Sequence, residues 1–548
     1  MVSDSVRSTR TTPLSPLPLP AFDVRVSGRL LLSDPKATHC KKHPSTTEPT
    51  PPRLHHSQLP ASLPIMGRFR VDTVSSTGPE QGGASMSIIL LVLLTLLCFL
   101  LRFTRLFVGI YANLTYKPIP ILKSPKYTAK SCTVIIPTVF KCQVSLAECI
   151  GRVSACGPAA IFVVVLDSNV SACRALCDAN NFSNVTVLGV PKLGKRTQMV
   201  RALKFVNTSL IVWADDDVYW NSDYLDQLVA IFENPKVGAG GTCQRVRRTA
   251  KSPWSPCSAI SMLGVSYIER RVWNNLASNA IDGSISTLSG RSAAYRTEIL
   301  KNEEFISEFQ NGHFMGKKLD SDDDKFLTRW LYSHGPSRTG RVGPGEGWQI
   351  AIQRSVHLET TLEEDWKYIH QCLRWARARF RGNFTVMRNE TYWCSRQYAW
   401  GFYVIYFSMF QNPSLFIDLG FTWLLSKILA PCSPETQSLC WILFLVWVFF
   451  TKIVRLIPHF CRHPVDMVHI PFLIAFGYFH SLLNIYALCT LTQTAWGGKD
   501  IAALSKAKPE KDETMPLLSD SDSQLQTAPI PGEPTIGGGE VSDPASSS

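Results

Sequence analysis

Hydrophobic and polar positions divide the chain into stretches of different character. Residues 1–85 have no sustained apolar period and are rich in Pro, Ser and Thr. They bury too little surface to offset chain entropy and are expected to be a disordered tail. The run SIILLVLLTLLCFLL, Ser87 to Leu101, then continues through Arg102 and Arg105 to Phe107. This predicts a transmembrane helix over residues 86–110, with both arginines snorkelling to the headgroups. A cleaved signal peptide is the competing reading, but no small-residue cleavage site follows the run. Met86 lies immediately before it and Met66 upstream, so either is an alternative start.

From Ser131 to Asn389, short β-branched runs alternate with helical stretches. Thr133–Pro137, Ala160–Leu166, Val185–Val190 and Leu210–Ala214 read as buried parallel strands, and Gln198–Val206 as a helix. Such alternation implies an open α/β sheet with right-handed crossovers and ligands at the carboxyl ends of its strands. Beyond Asn389 the chain is apolar again, with candidate spans near 400–428, 439–458 and 467–491. Pro413 and Pro471 are placed to kink or split the first and last. Residues 499–548 form a polar, Gly/Pro/Ser-rich tail, expected to be disordered, in which Glu513, Leu517 and Leu518 have the spacing of an acidic dileucine signal.

The net charge of +13 admits nucleic acid as a partner, but the basic residues cluster around the membrane segments and within Arg374–Arg388. A membrane-facing role accounts for them, and no nucleic acid is expected. Arg102, Arg105, Lys117, Lys123, Lys126 and Lys130 all follow the first span, which favours a cytosolic domain next. The 16 cysteines are scattered, and pairs such as Cys173 and Cys177 lack a second pair at metal-ligand spacing. Reduced thiols without structural zinc follow.

Candidate chemistry sits in clusters. Asp215, Asp216 and Asp217 directly follow the strand Leu210–Ala214, so their carboxylates enter the ligand crevice, with Asp215 and Asp217 on one side. Three acids there repel one another, and Mn²⁺ or Mg²⁺ bridging a diphosphate would relieve the repulsion. An acidic surface turn is the alternative. A second cluster, Asp320, Asp322, Asp323 and Asp324, precedes the helical KFLTRWL. It fits either a helix N-terminus or a general base. In HQCLRWARARFRGN, Gln371, Arg374 and Trp375 share a helical face. Arg374 can neutralise phosphate charge, Trp375 can stack on a sugar and Gln371 can hydrogen-bond it. Alternatively, residues 371–396 form an amphipathic interfacial helix with Arg377, Arg379, Arg381 and Arg388 on headgroups.

In this order on one α/β domain, the clusters resemble the family 2 glycosyltransferases. The likeness is to the processive branch of hyaluronan, cellulose and chitin synthases, and most of all to fungal type 2 glycosyltransferases of the polysaccharide-synthase kind. It extends over Tyr116 to Lys499. It implies a GT-A-like nucleotide-sugar-binding domain over 116–370 inserted between transmembrane helices, with three or four passes in 397–495. By the same resemblance, Thr133–Thr138 contacts the nucleotide base, Asp167 ends a donor-site strand, and Lys195 and Arg196 lie beside the donor. Asp215 and Asp217 match the metal-binding Asp-x-Asp. Ser289, Gly290 and Arg291 resemble the acceptor-lining segment. Asp323 and Asp324 match the motif of the catalytic base, with Asp324 favoured, and Gln371, Arg374 and Trp375 match Gln-x-x-Arg-Trp.

The implied protein is a multi-pass enzyme of the plasma or secretory-pathway membrane with a cytosolic catalytic domain. It would polymerise sugar from a UDP-sugar donor onto a growing polysaccharide, with Mn²⁺ or Mg²⁺, and export the product. A single-transfer enzyme acting on a lipid, as ceramide glucosyltransferases do, and a non-catalytic scaffold are the alternatives. Departures from the pattern are the ending PTVF of the first strand and Ser168 and Asn169 after Asp167. Trp496, Gly497 and Gly498 resemble a segment that is cytosolic in relatives, which requires an even number of crossings after the domain, whereas the candidate spans number three. Asn181 and Asn184, in Asn-x-Ser/Thr sequences, would be unmodified in the cytosol.

Overall fold

The β-branched runs pair as the pattern predicts, and a computed structural model describes residues 79–248, 252, 254–319, 321–336 and 340–494. Strands β1 (Cys132–Pro137), β2 (Ala160–Leu166), β3 (Val185–Val190) and β4 (Leu210–Ala214) form the parallel half of the sheet. The other half contains β5 (Val218–Tyr219), β6 (Val237–Val246), β7 (Ser292–Arg296) and β10 (Gln349–Thr360). Strands β8 (His313–Phe314) and β9 (Lys317–Lys318) make a separate hairpin. The main sheet runs β3-β2-β1-β4-β7-β6-β10-β5. It is mixed, because β7 inserts antiparallel between β4 and β6.

Every residue of β1 and β4 is buried, as expected of strands covered on both faces. Val134 and Ile136 of β1 pack with Leu146, Cys149 and Ile150 of the helix Gln143–Ala155. Ile135 points the other way, towards Met199 and Leu203 of the helix Lys195–Leu203. The period of two along a strand thus builds two cores from one sequence run. A long helix, Pro256–Asp282, then leads back to β7. It is capped by Ser255, whose side chain accepts from the Ser258 amide, and ends at Gly283, whose φ of 77° is the left-handed conformation a glycine terminator supplies.

Among the described residues, three helical segments are long and apolar enough to cross a membrane: Met86–Thr115, Pro434–Arg462 and Pro464–Cys489. The first belongs to a helix that begins at Pro79, inside the expected disordered tail, and extends to Thr115. The expected span near 400–428 is broken. A π-helical stretch, Phe402–Phe407, leads to a short turn ending at Gln411, and a new helix of 16 residues, Ser414–Leu429, starts after Pro413. Proline's missing N–H and its clash with the preceding turn account for the break. Pro471 instead occupies the first turn of Ile470–Cys489, where it is tolerated, and splits nothing. Among the described residues, two segments of that length and composition follow the α/β domain.

Two charge assignments also change. Arg102 and Arg105 do not reach outward but line an internal cavity, and an Arg102 guanidinium nitrogen donates to the Gln411 carbonyl. The signature helix spans Lys367–Asn389, followed by 3₁₀ turns, and packs against Ile470–Cys489. Its Arg377, Arg379 and Arg381 bond to Thr490, Asn484 and Asp322 respectively, so they do not serve headgroups; Arg388 is exposed. Every cysteine among the described residues is free. Asp320, the tail up to residue 78, Trp496–Gly498 and the Glu513/Leu517/Leu518 pattern lie outside the described residues.

Candidate active site

The end of β4 delivers three carboxylates to the floor of a cavity of about 950 Å³. Asp215 is fixed through its backbone, whose N–H donates to the Arg291 carbonyl at 2.8 Å, and its Oδ1 meets Lys195 Nζ at 2.8 Å. Asp216 accepts from the Thr138 hydroxyl, while Asp217 Oδ2 accepts from Thr361 Oγ1 at 3.2 Å. Burial and the negative charges of Asp215 and Asp216 push Asp217 up to about 7. Three crowded acids with one lysine between them are short of positive charge.

Among the described residues no three His, Cys, Asp or Glu side chains converge as metal ligands. Asp215 and Asp217 form a two-carboxylate set, and a Mg²⁺- or Mn²⁺-type cation ordinarily takes one or two protein carboxylates and completes its shell with phosphate oxygens and water. The donor set and its unrelieved repulsion fit such an ion.

The second acidic cluster arrives from across the cavity. Asp322 has a left-handed φ of 64° that turns the chain into the helix Asp323–Ser333. It is held there by a buried ion pair, with Arg381 Nε 2.7 Å from Asp322 Oδ2 and Arg381 Nη2 2.9 Å from Oδ1. Asp323 Oδ2 lies 3.2 Å from the same Lys195 Nζ that serves Asp215. Asp324 faces Arg271, with Nη2 3.7 Å from Oδ2. The two neighbours are driven apart electrostatically. Burial raises Asp323, but Lys195 and Arg196 outweigh it and hold this carboxyl below the usual range. Burial and the Asp323 charge push Asp324 up. Paired acids with opposed shifts mark acid–base assignments.

Gln371, Arg374 and Trp375 line the same cavity from the signature helix, as do Ser289, Gly290 and Arg291. Arg374 has no ion pair or hydrogen bond among the described residues, so its charge is available to a ligand. Gln371 Oε1 is buried without a partner. The Trp375 ring is stacked on Tyr267 at 4.5 Å, with the Arg291 guanidinium 5.4 Å from its centre. A Cβ at Gly290 would fit tightly, 3.2 Å from Asp323 Oδ2 and 3.4 Å from Lys195 Nζ.

Not all predicted residues converge. Arg196 is buried behind the cavity, its guanidinium donating to the carbonyls of Phe309 and Ser321 at 2.8 Å each. It shapes the base loop from behind. Asp167 is exposed at the end of β2, against Gly189, and is absent from the cavity wall. Conversely, Arg271, Tyr267 and Lys325 belong to the site without having been singled out. Arg271 and Tyr267 lie on Pro256–Asp282, where apolar and polar residues mix around the helix and give no directional signal. Lys325 donates to Ser286 O at 2.7 Å and Asn383 Oδ1 at 3.1 Å, and burial pushes it down to about 7. Its place directly after Asp324 was the available clue.

Residues 129–378 match the family model described as glycosyltransferase like family 2. A type 2 glycosyltransferase of Gibberella zeae is 37% identical over 409 residues, covering 73% of this chain and 74% of that protein. The chain belongs to glycosyltransferase family 2. It is a glycosyltransferase with a GT-A-like α/β core. A second type 2 glycosyltransferase, from Zymoseptoria tritici, is 37% identical over 412 residues, 74% of this chain and 83% of that protein. A hyaluronan synthase of Streptococcus pyogenes is 22% identical over 324 residues, 57% and 68% of the two chains. Among solved structures, a mannosyltransferase of Pyrobaculum calidifontis in complex with GDP-Man and Mn²⁺ is 15% identical, covers 74% of this chain and 100% of that one, and gives a TM-score of 0.44. The family match coincides with the sheet and ends within the signature helix, so it encloses each cluster that lines the cavity.

Proposed function

We propose that this family 2 glycosyltransferase is a membrane-bound, inverting and processive enzyme that extends a polysaccharide from a UDP-sugar. The observation that carries this reading is the cavity itself. It holds Asp215, Asp217, Asp324 and Arg374, and its lining extends to Arg102, Lys452 and His480, one on each of the three long apolar segments. A transfer site open to such a passage suits a product that grows away from it.

In the proposed reaction, Asp324 takes the proton of the acceptor hydroxyl, and burial with the neighbouring Asp323 charge raises its affinity for protons. The acceptor oxygen then bonds to the anomeric carbon from the face opposite the nucleotide as the carbon–oxygen bond to the diphosphate breaks. Arg374 holds the charge that develops on the departing diphosphate. Mn²⁺ or Mg²⁺ held by Asp215 and Asp217 would supply further neutralisation of the diphosphate. Lys195, bridging Asp215 and Asp323, keeps the donor-side acids in register with the base loop.

The test is product size. Membranes containing the full chain are incubated with radiolabelled UDP-glucose, UDP-GlcNAc or UDP-glucuronate and Mn²⁺, and the products are fractionated by length. Label in a long polymer from one donor is expected; label confined to a lipid carrying one sugar contradicts processivity.

A further inference from the structure

The inner part of the cavity, beyond the transfer site, has a charge balance of its own. Arg102 and Arg105 enter it from the first apolar helix, Arg270 from Pro256–Asp282, and Lys452 and Arg455 from Pro434–Arg462. Among the described residues, the only carboxylate the membrane-side helices contribute is Asp418, whose Oδ2 is 2.6 Å from Lys452 Nζ and also accepts from the Tyr478 hydroxyl. Arg105, Arg270 and Arg455 have no ion pair or hydrogen bond among the described residues, and Arg102 has a neutral carbonyl. The four guanidinium groups lie close enough to repel one another. Ionisable side chains on segments fit to cross a membrane are costly to retain without a partner, and they ordinarily mark a substrate path. Nothing in the transfer chemistry at Asp324 uses these four.

We infer that the inner cavity binds an anionic sugar chain, one bearing carboxylate groups such as uronates, with Arg102, Arg105, Arg270 and Arg455 as its counter-charges. Four guanidinium groups spread over three helices favour a chain with repeated negative charges over a single lipid headgroup. Ser408, Asn412, Ser414, Thr451 and Asn484 also line the void, beside apolar side chains such as Leu106, Leu456 and Ile474. Guanidinium groups pair with carboxylates through two parallel hydrogen bonds, and unpaired arginines are free to make them. The inference rests on the proposed polysaccharide reading and deepens it, since it restricts the acceptor and product to acidic polymers.

The experiment is equilibrium binding to the full chain in neutral-lipid nanodiscs, which needs no turnover. The probes are oligogalacturonate, a neutral cello-oligosaccharide of equal length, and phosphatidic acid doped into the nanodisc. Oligogalacturonate is expected to bind, to weaken with salt, and to lose about tenfold affinity in each of Arg270→Gln and Arg455→Gln. Arg455→Lys keeps the charge but not the planar fork and is expected to bind more tightly than Arg455→Gln and less tightly than the parent, so a folding defect in a glutamine variant does not decide the matter. Equal binding of the neutral oligosaccharide, or no binding of oligogalacturonate, overturns the inference. Competition by phosphatidic acid alone would assign the arginines to a lipid headgroup and overturn it too. A neutral polymer in the product-size assay defeats this inference while leaving processive transfer intact, whereas a single-sugar product defeats the processive reading.

Discussion

Asp323 and Asp324 are adjacent in sequence and differ in chemistry because their surroundings differ. Lys195 lies against the first, and the charge of the first bears on the second. A base works only when deprotonated, so transfer should fall as pH drops through the raised value of Asp324, which lies above the ordinary Asp range of about 3.9. In Asp323→Asn the like charge is gone while burial remains. The acid limb of kcat/KM is expected to move to lower pH without reaching the ordinary carboxylate value; an unmoved limb, or one shifted upward, would separate the two residues. At this scale the sequence was informative about identity and weak about orientation. The acids and the Gln-x-x-Arg-Trp residues were visible as motifs, but that Trp375 would stack on Tyr267, or Arg196 turn away towards backbone carbonyls, depends on contacts between segments far apart in the chain.

Among the elements, strands β1, β2 and β4 were legible because each is an apolar run buried on both faces, which few other structures can accommodate, and β3, a partly buried edge strand, was legible from its Val-Thr-Val run. The antiparallel β7 was not, since SAAYR carries neither a long apolar run nor a turn signal. The signature helix was visible as an Arg-rich amphipathic pattern, which looks the same whether the arginines meet headgroups or buried carboxylates. Arg381 shows the difference. It pairs with Asp322 and also donates to the carbonyls of Leu491 and Gln493, tying the base loop to the end of the last apolar helix. Arg381→Ala leaves a buried carboxylate uncompensated and is expected to destabilise the protein by about 3–5 kcal/mol. Thermal unfolding of the detergent-solubilised chain would register this as a lowered midpoint. The pair Asp322→Asn with Arg381→Met should recover much of the loss, because neither charge is then stranded and Asn tolerates the left-handed backbone at that position. A midpoint for Arg381→Ala equal to that of the parent protein would deny the clamp.

For the molecule as a whole, the sequence located the apolar segments but not how many are continuous, because a proline can start a helix, as at Pro471, or break one, as at Pro413. The passage from the acidic floor to the arginine-lined interior was equally hidden, since its walls come from helices hundreds of residues apart. That joining underlies the whole account: β4, the base helix and the signature helix bring Asp215, Asp324 and Arg374 to one void. It is tested most directly by measuring sugar transfer and UDP binding on the same nanodisc samples of the parent chain, Asp324→Asn and Arg374→Ala. The account predicts a fall in transfer of about 10²- to 10⁴-fold for Asp324→Asn with UDP binding retained, and of about 10²- to 10³-fold for Arg374→Ala. A folded sample of either variant that transfers sugar at close to the parent rate would contradict it.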